Sequence, residues 1–93
     1  PKPIFRFVNV KTEKIIFFGG GKEHARIVLS DDSGAPQDAI AFFVSRAPFR
    51  DTLALLSPGD SVTLDASIER SHFGGRKELR LRIENIDNGE IQG

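Results

Sequence analysis

Between Val62 and Ile83 the chain alternates apolar and polar residues on both sides of Gly74-Gly75. Val62, Leu64, Ala66 and Ile68 lead in, and Leu79, Leu81 and Ile83 lead out. Period-2 alternation marks a half-buried strand. Gly-Gly lets both turn positions take positive φ, so the segment reads as a two-stranded hairpin. Pairing about the two glycines sets Ile68 opposite Leu81 and Glu69 opposite Arg80, apolar with apolar and acid with base, which supports the register. The same register puts Phe73, Arg76, Glu78, Arg80 and Arg82 on the outward face. A lone hairpin is at best marginal in water, so the remaining chain must complete its sheet.

It supplies three more strands and a helix. Ile4–Phe18, rich in Phe, Val and Ile, reads as one long bent strand or two pieces around Lys11–Lys14. Gly19-Gly20-Gly21 ends it. His24–Ser30 alternates, with Ala25, Ile27 and Leu29 on one face and His24, Arg26, Val28 and Ser30 on the other. After the turn cluster at 31–36, a third strand is expected over Asp38–Val44, with Ile40, Phe42 and Val44 facing one way and Ala39, Ala41 and Phe43 the other. The period then changes. Pro48 suits a first helical turn, and Phe49, Leu53 and Leu56 form an apolar stripe at helical spacing. Ser57-Pro58-Gly59-Asp60 stops the helix.

Three strands, a short helix and a closing hairpin match an all-β architecture: the five-stranded Greek-key barrel called the OB-fold, with a helix between strands 3 and 4. SH3-like barrels compete, but rarely carry a helix of this length there. The expected core is Val62, Leu64, Ile68, Leu79, Leu81, Ile83, Ile27, Leu29, Ile40 and Phe42, capped by Phe49 and Leu53. No internal repeat or linker interrupts the 93 residues, so a single domain over 1–93 is expected. The start at Pro1, without a methionine, suggests a fragment of a longer polypeptide.

Composition narrows the chemistry. Hydrophobic residues make up 39% and charged residues 28%, as in an ordinary globular domain. There is no cysteine, which excludes disulfides, thiolate nucleophiles and cysteine-bound metal. No apolar run approaches a membrane span and no signal-peptide pattern opens the chain, so no membrane partner and a cytoplasmic location are the default expectations. Thirteen basic and thirteen acidic residues cancel, yet unevenly. Residues 1–30 carry six cations against two anions, 31–69 two against seven, and 70–93 five against four. A fold that joins the two outer segments can build a local positive surface without a high isoelectric point.

Three tempting motifs have plainer accounts. Gly19-Gly20-Gly21-Lys22 lacks the Ser/Thr and the following helix of a phosphate loop. Asp31-Asp32-Ser33-Gly34 is turn chemistry before it is a carboxylate pair. His24 and His72 fall on different loops, without zinc-ligand spacing. No cofactor or metal is expected in this stretch, and no catalysis.

Five stretches in order resemble the C-terminal OB domain of RecJ-type single-strand-specific DNA exonucleases. They are Pro1-Lys2-Pro3-Ile4-Phe5, Gly21-Lys22-Glu23-His24 with the Ile27–Leu29 strand, Asp38-Ala39-Ile40-Ala41-Phe42, Pro58-Gly59-Asp60 with Val62, and Phe73-Gly74-Gly75-Arg76 running on to Leu79-Arg80-Leu81, Ile83 and Ile86. His72-Phe73 stands where the family often has Asn and Trp or Tyr, and Asn85-Ile86 where it often has Asp-Ile. The resemblance implies a single-stranded DNA-binding module of a 5'-3' exonuclease, a hydrolase of DNA repair and recombination. Its Mn²⁺ or Mg²⁺ would sit in a nuclease core outside this stretch, since the family's Asp-His-His motif does not occur here. The implied partners are single-stranded DNA, that nuclease core and a single-strand-binding protein.

OB-folds bind ligands on the face of strands 2–3, flanked by the loops joining strands 1–2 and 4–5. The expected nucleic-acid contacts are therefore Lys22, His24, Arg26, Phe43, Phe73, Arg76, Lys77 and Arg82. Cations would track the backbone and rings would stack on bases. Each also has a structural account. Arg80 can simply pair with Glu69, Phe73 can clamp the hairpin, and Phe43 can be covered by a neighbouring domain. The competing function is an interaction module that docks on the nuclease core or a protein partner without touching DNA.

Overall fold

The computed structural model describes residues 2–73 and 76–88, with side chains for 2–70 and 79–87. Five strands, β1 (Phe5–Phe18), β2 (His24–Ser30), β3 (Pro36–Ala41), β4 (Ser61–Phe73) and β5 (Arg76–Asn88), close a barrel in the order β1-β2-β3-β5-β4. All pairs are antiparallel except β3–β5, where Ala39 lies beside Leu81 and Ile40 beside Arg82 in parallel. A helix, α1 (Arg50–Leu55), follows β3 after a 3₁₀ turn at Val44–Arg46. The hairpin register is the expected one, with Ile68 opposite Leu81 and Glu69 opposite Arg80.

β1 is one strand shared by two neighbours. Its first half pairs with β4 and its second half with β2, and the register slips between Phe7 and Val10 on one side and between Thr12 and Lys14 on the other. Asn9, at φ 59, lies within the first slip, and such bulges bend a strand around a barrel. At the turn of the strand, the Thr12 N–H donates to the Asp60 carbonyl at 2.8 Å and its carbonyl accepts from Gly59 at 2.7 Å. Those two bonds fasten the loop that ends α1 to the barrel wall. Gly59, at φ 99, supplies the left-handed step this turn requires.

The core holds Ile27, Leu29, Val62, Leu64, Leu81, Ile83 and Ile86, with Ala25, Ala39, Ala41 and Ala66 between them. Phe49 and Leu53 of the helical segment close it. Four expectations fail here. The inward face of β3 is Ala39 and Ala41, because Ile27 pairs with Ala39 and Ala25 with Ala41. Ile40 is buried but stands on the outer face, in register with Arg26 and Arg82, and Phe42 is only half-buried. A small barrel has too narrow an interior for large residues on every strand, so it alternates small with large. Second, β3 stops at Ala41 rather than Val44. Third, Ile68 and Leu79 are 43% and 62% exposed, because the β4–β5 ladder runs past the barrel while keeping its alternation. Pro48 also precedes the helix instead of opening it: Phe49 is the N-cap, and Ala47, before the proline, is extended at ψ 142.

These positions separate barrel from overhang. Leu64→Ala should cost about 2–5 kcal/mol in denaturant unfolding, while Leu79→Ala should stay within about 0.5 kcal/mol of the parent. Equal losses at the two sites would contradict the described burial.

Candidate nucleic-acid interface

The loop between β1 and β2 folds back on the start of β2. The Lys22 N–H donates to the Gly19 carbonyl at 3.1 Å, and the Gly21 N–H donates to Glu23 Oε1 at 2.8 Å. Gly19 sits at φ 100, and a Cβ there would meet Glu23 Oε1 and His24 Cδ2 at 3.0 Å, so a side chain would strain the backbone and push both neighbours aside. Hydrogen bonds from the backbone amides of Glu23 and Gly21 hold the Glu23 carboxyl below its usual range.

His24 is the hub of the site. Its Nδ1 accepts the Phe43 N–H at 3.0 Å, which leaves Nε2 to carry the proton of the neutral ring. Its ring centroid lies 5.3 Å from Phe18, 5.1 Å from Phe42 and 4.6 Å from Phe43, the last two edge-on. The Val44 N–H donates to the Glu23 carbonyl at 2.8 Å, a second tie between the end of β3 and the start of β2. Between these two bonds Phe43 is held at φ 53, ψ 57. The left-handed region is uncommon for a bulky residue. The conformation sends two consecutive rings different ways: Phe42 lies half-buried over the sheet, while Phe43 stands 51% exposed.

Cations surround the rings. Arg82 lies over Phe42 with 4.7 Å to the centroid, Arg80 over the same ring at 5.9 Å, and Arg46 over Phe43 at 5.5 Å. Glu69 on β4 receives Arg82 at 3.0 Å, Arg80 at 3.4 Å and Lys2 at 3.4 Å. Partial burial pushes the Glu69 carboxyl up, but Arg82 and Lys2 outweigh it and hold the group below its usual range. Arg26, one row along β2, is paired with Asp38 at 3.2 Å.

The expected residues distribute as follows. His24, Phe43 and Arg82 converge on one ring-and-cation platform. Arg26 borders it beside Ile40, and Lys22 lies exposed in a groove with Phe17, Val44 and Arg50. The side chains of Phe73, Arg76 and Lys77 lie outside the described residues. Sequence reasoning missed Phe18, Arg46 and Glu69, and assigned Phe42 to the core. The Phe42-Phe43 doublet was the available signal, since adjacent strand residues face opposite ways and one ring had to leave the core. Among the described residues, no three His, Asp or Glu side chains converge as metal ligands would, and no helix is long and apolar enough to cross a membrane.

A closed five-stranded barrel with its helix after β3 and its rings gathered over the start of β2 is an OB-fold. The family model described as the RecJ OB domain matches residues 1–85, and the chain belongs to that family. Among solved structures, an OBody, NL8, bound to hen egg-white lysozyme superposes with a TM-score of 0.72 at 16% identity, covering 97% of both chains. The S. cerevisiae mitochondrial single-stranded DNA binding protein Rim1 does so with a TM-score of 0.68 at 12% identity, covering 98% of this chain and 100% of that one. No curated protein sequence matches.

Two outcomes test the geometry. Phe43→Gly should be more stable than Phe43→Ala by about 1 kcal/mol, because only glycine accepts the left-handed backbone freely; the reverse order in chemical denaturation would place Phe43 elsewhere. Glu69 has a folded-state pKa below its unfolded one. Its contribution to stability is therefore present above the unfolded carboxylate range, near about pH 4, and is lost as pH falls through the folded value. Glu69→Gln should accordingly flatten the acid limb of the melting-temperature profile below about pH 4.

Proposed function

We propose that this OB domain binds single-stranded DNA across β2, β3 and the start of the β4–β5 hairpin, and delivers the strand to a nuclease core in the same polypeptide. The observation that carries the proposal is Phe43, a large ring held exposed in an unfavourable backbone conformation by His24 and flanked by Arg46. Strained, over-determined residues cluster at ligand sites. A base stacking on Phe43 would find Phe42 and three arginines beside it, the combination that sequence-tolerant single-strand binding uses. Arg26, Arg82 and Lys22 would track phosphates, and Phe73, Arg76 and Lys77 would extend the track along the hairpin. Membership of the RecJ OB family and the likeness of fold to a single-stranded DNA binding protein support this reading.

The role is that of a 5'-3' single-strand exonuclease's binding module, working in DNA repair and recombination in the cytoplasm. The Mn²⁺ or Mg²⁺ of such an enzyme belongs to its nuclease core. The described residues of this chain offer no donor set for it, and no step of the proposed role runs through a metal here. The chain as a whole acts as one domain in this scheme, with a single-strand-binding protein as a further partner.

Docking without DNA remains the second function, and one observation favours it. Phe5, Ile68 and Leu79 share a face of the β1–β4–β5 ladder where it leaves the barrel, and all three are exposed. An apolar strip of that kind suits contact with a protein.

Anisotropy titration of labelled oligo-dT across a salt series separates the two. Phe43→Ala should weaken binding roughly 5- to 150-fold at every salt concentration, the worth of one stacked base. Arg82→Ala should reduce the slope of log K against log salt by about 0.7, one phosphate's share. Unchanged affinity in both variants would overturn DNA binding on this face and leave the docking module.

A further inference from the structure

Two kinds of ion pair occur on the outer wall of the barrel. Arg6 grips Asp65 with both arms, Nε to Oδ1 at 2.8 Å and Nη2 to Oδ2 at 3.0 Å. Glu69 is held differently. Arg80 gives it one hydrogen bond, Arg82 one, and Lys2 one, none of them a two-armed fork. Its side chain is 15% exposed, sunk among three cations that are each far more open to solvent. The same two guanidinium groups lie over Phe42.

A carboxylate with three single-bonded cations, at the edge of an aromatic platform, stands where a phosphodiester would stand. Both groups offer paired anionic oxygens to guanidinium donors. Each arginine has five N–H donors, gives only one to Glu69, and gives none to any other side chain among the described residues. We infer that Glu69 is a displaceable counter-anion: it keeps Lys2, Arg80 and Arg82 gathered over Phe42 in the free protein, and a phosphate of the bound strand must compete with it. This inference rests on the single-strand reading above and deepens it, making Glu69 the residue that sets affinity and salt response. Its charge opposes the incoming phosphate, while its oxygens position the cations. Glu69→Gln separates the two roles, because the amide oxygen still accepts hydrogen bonds and the charge is gone.

The test is oligo-dT binding by the wild-type chain, Glu69→Gln and Asp87→Asn over a salt series. Asp87→Asn makes the same change in net charge seven residues along β5 from Arg80, roughly 20 Å away, beyond the Debye length of about 10 Å at moderate salt. Glu69→Gln should bind roughly fivefold tighter, the size of an exposed charge contact, with a slope steeper by up to about 0.7. Asp87→Asn should change affinity by less than about twofold. In the wild-type chain, the Glu69 carboxyl carbon resonance should move as oligo-dT is added, a readout that needs no variant. Wild-type binding with Glu69→Gln equal or weaker, with Asp87→Asn equally strengthened, or with a stationary Glu69 resonance, overturns the counter-anion role and leaves the single-strand reading standing. No binding by any of the three proteins overturns both.

Discussion

Closure of the barrel rests on a short parallel ladder between β3 and β5, Ala39 beside Leu81 and Ile40 beside Arg82. Parallel neighbours need a long connection, and α1 with its flanking turns and the whole of β4 lie inside it. Everything at the candidate site depends on that seam. Phe42 follows the last residue of β3, whereas Arg80 and Arg82 belong to β5, and only closure puts those guanidinium groups over the ring. The seam in turn requires a thin interior. Alanine opposite alanine across β2–β3, at Ala25 and Ala41, lets the wall curve inward, and Ala39 and Ala66 continue the narrow layer. With the inner positions of β3 taken by small residues, its large residue Ile40, and Phe42 just beyond the strand, were left for the outer face.

That inversion explains which parts of the molecule were legible from sequence. The β4–β5 register could be written down because two glycines fixed the turn and every pair around them agreed in chemistry. The faces of β2 were equally plain, since Ala25, Ile27 and Leu29 alternate with His24, Arg26 and Ser30, and only Val28 departs from the polar face. β3 was not, because Asp38–Val44 is apolar on both faces and the rule of large residues inward gave the wrong side. The bend at Phe43 has no local sequence signal: no glycine, asparagine or proline marks it. It exists because His24, which opens β2, and Glu23 just before it bind the backbone amides of Phe43 and Val44. Tertiary contacts impose the conformation, so only the assembled barrel reveals it. The overhanging Ile68 and Leu79 were misjudged for a related reason, since alternation says which face a residue takes and nothing about whether that face is covered.

The site also shows how a chain of zero formal net charge can carry a positive face. Cations of the amino-terminal and carboxy-terminal segments meet at Glu69, Lys2 from one and Arg80 and Arg82 from the other. Much of the acidic middle segment lies elsewhere, with Asp31 in the β2–β3 turn and Asp65 locked to Arg6 on the wall of β1 and β4. Segregation of charge by strand order, rather than excess of one sign, produces the local field.

Pairing with Glu69 across the hairpin and contact with a ligand look like alternatives for Arg80. The geometry removes the opposition. An arginine with one hydrogen bond to a sunken carboxylate, its guanidinium carbon 5.9 Å from a phenylalanine ring centre, is ordered by the ion pair and, among the described residues, gives its other donors to no side chain. Ordering matters because a free arginine loses up to about 2 kcal/mol of side-chain entropy when a ligand fixes it. A carboxylate that fixes it beforehand lowers that loss and, in the same act, adds a charge that the ligand must oppose. In the proposed role Glu69 would therefore trade entropy against repulsion at a single residue, and the balance between them would set how loosely a neutral domain holds a single strand.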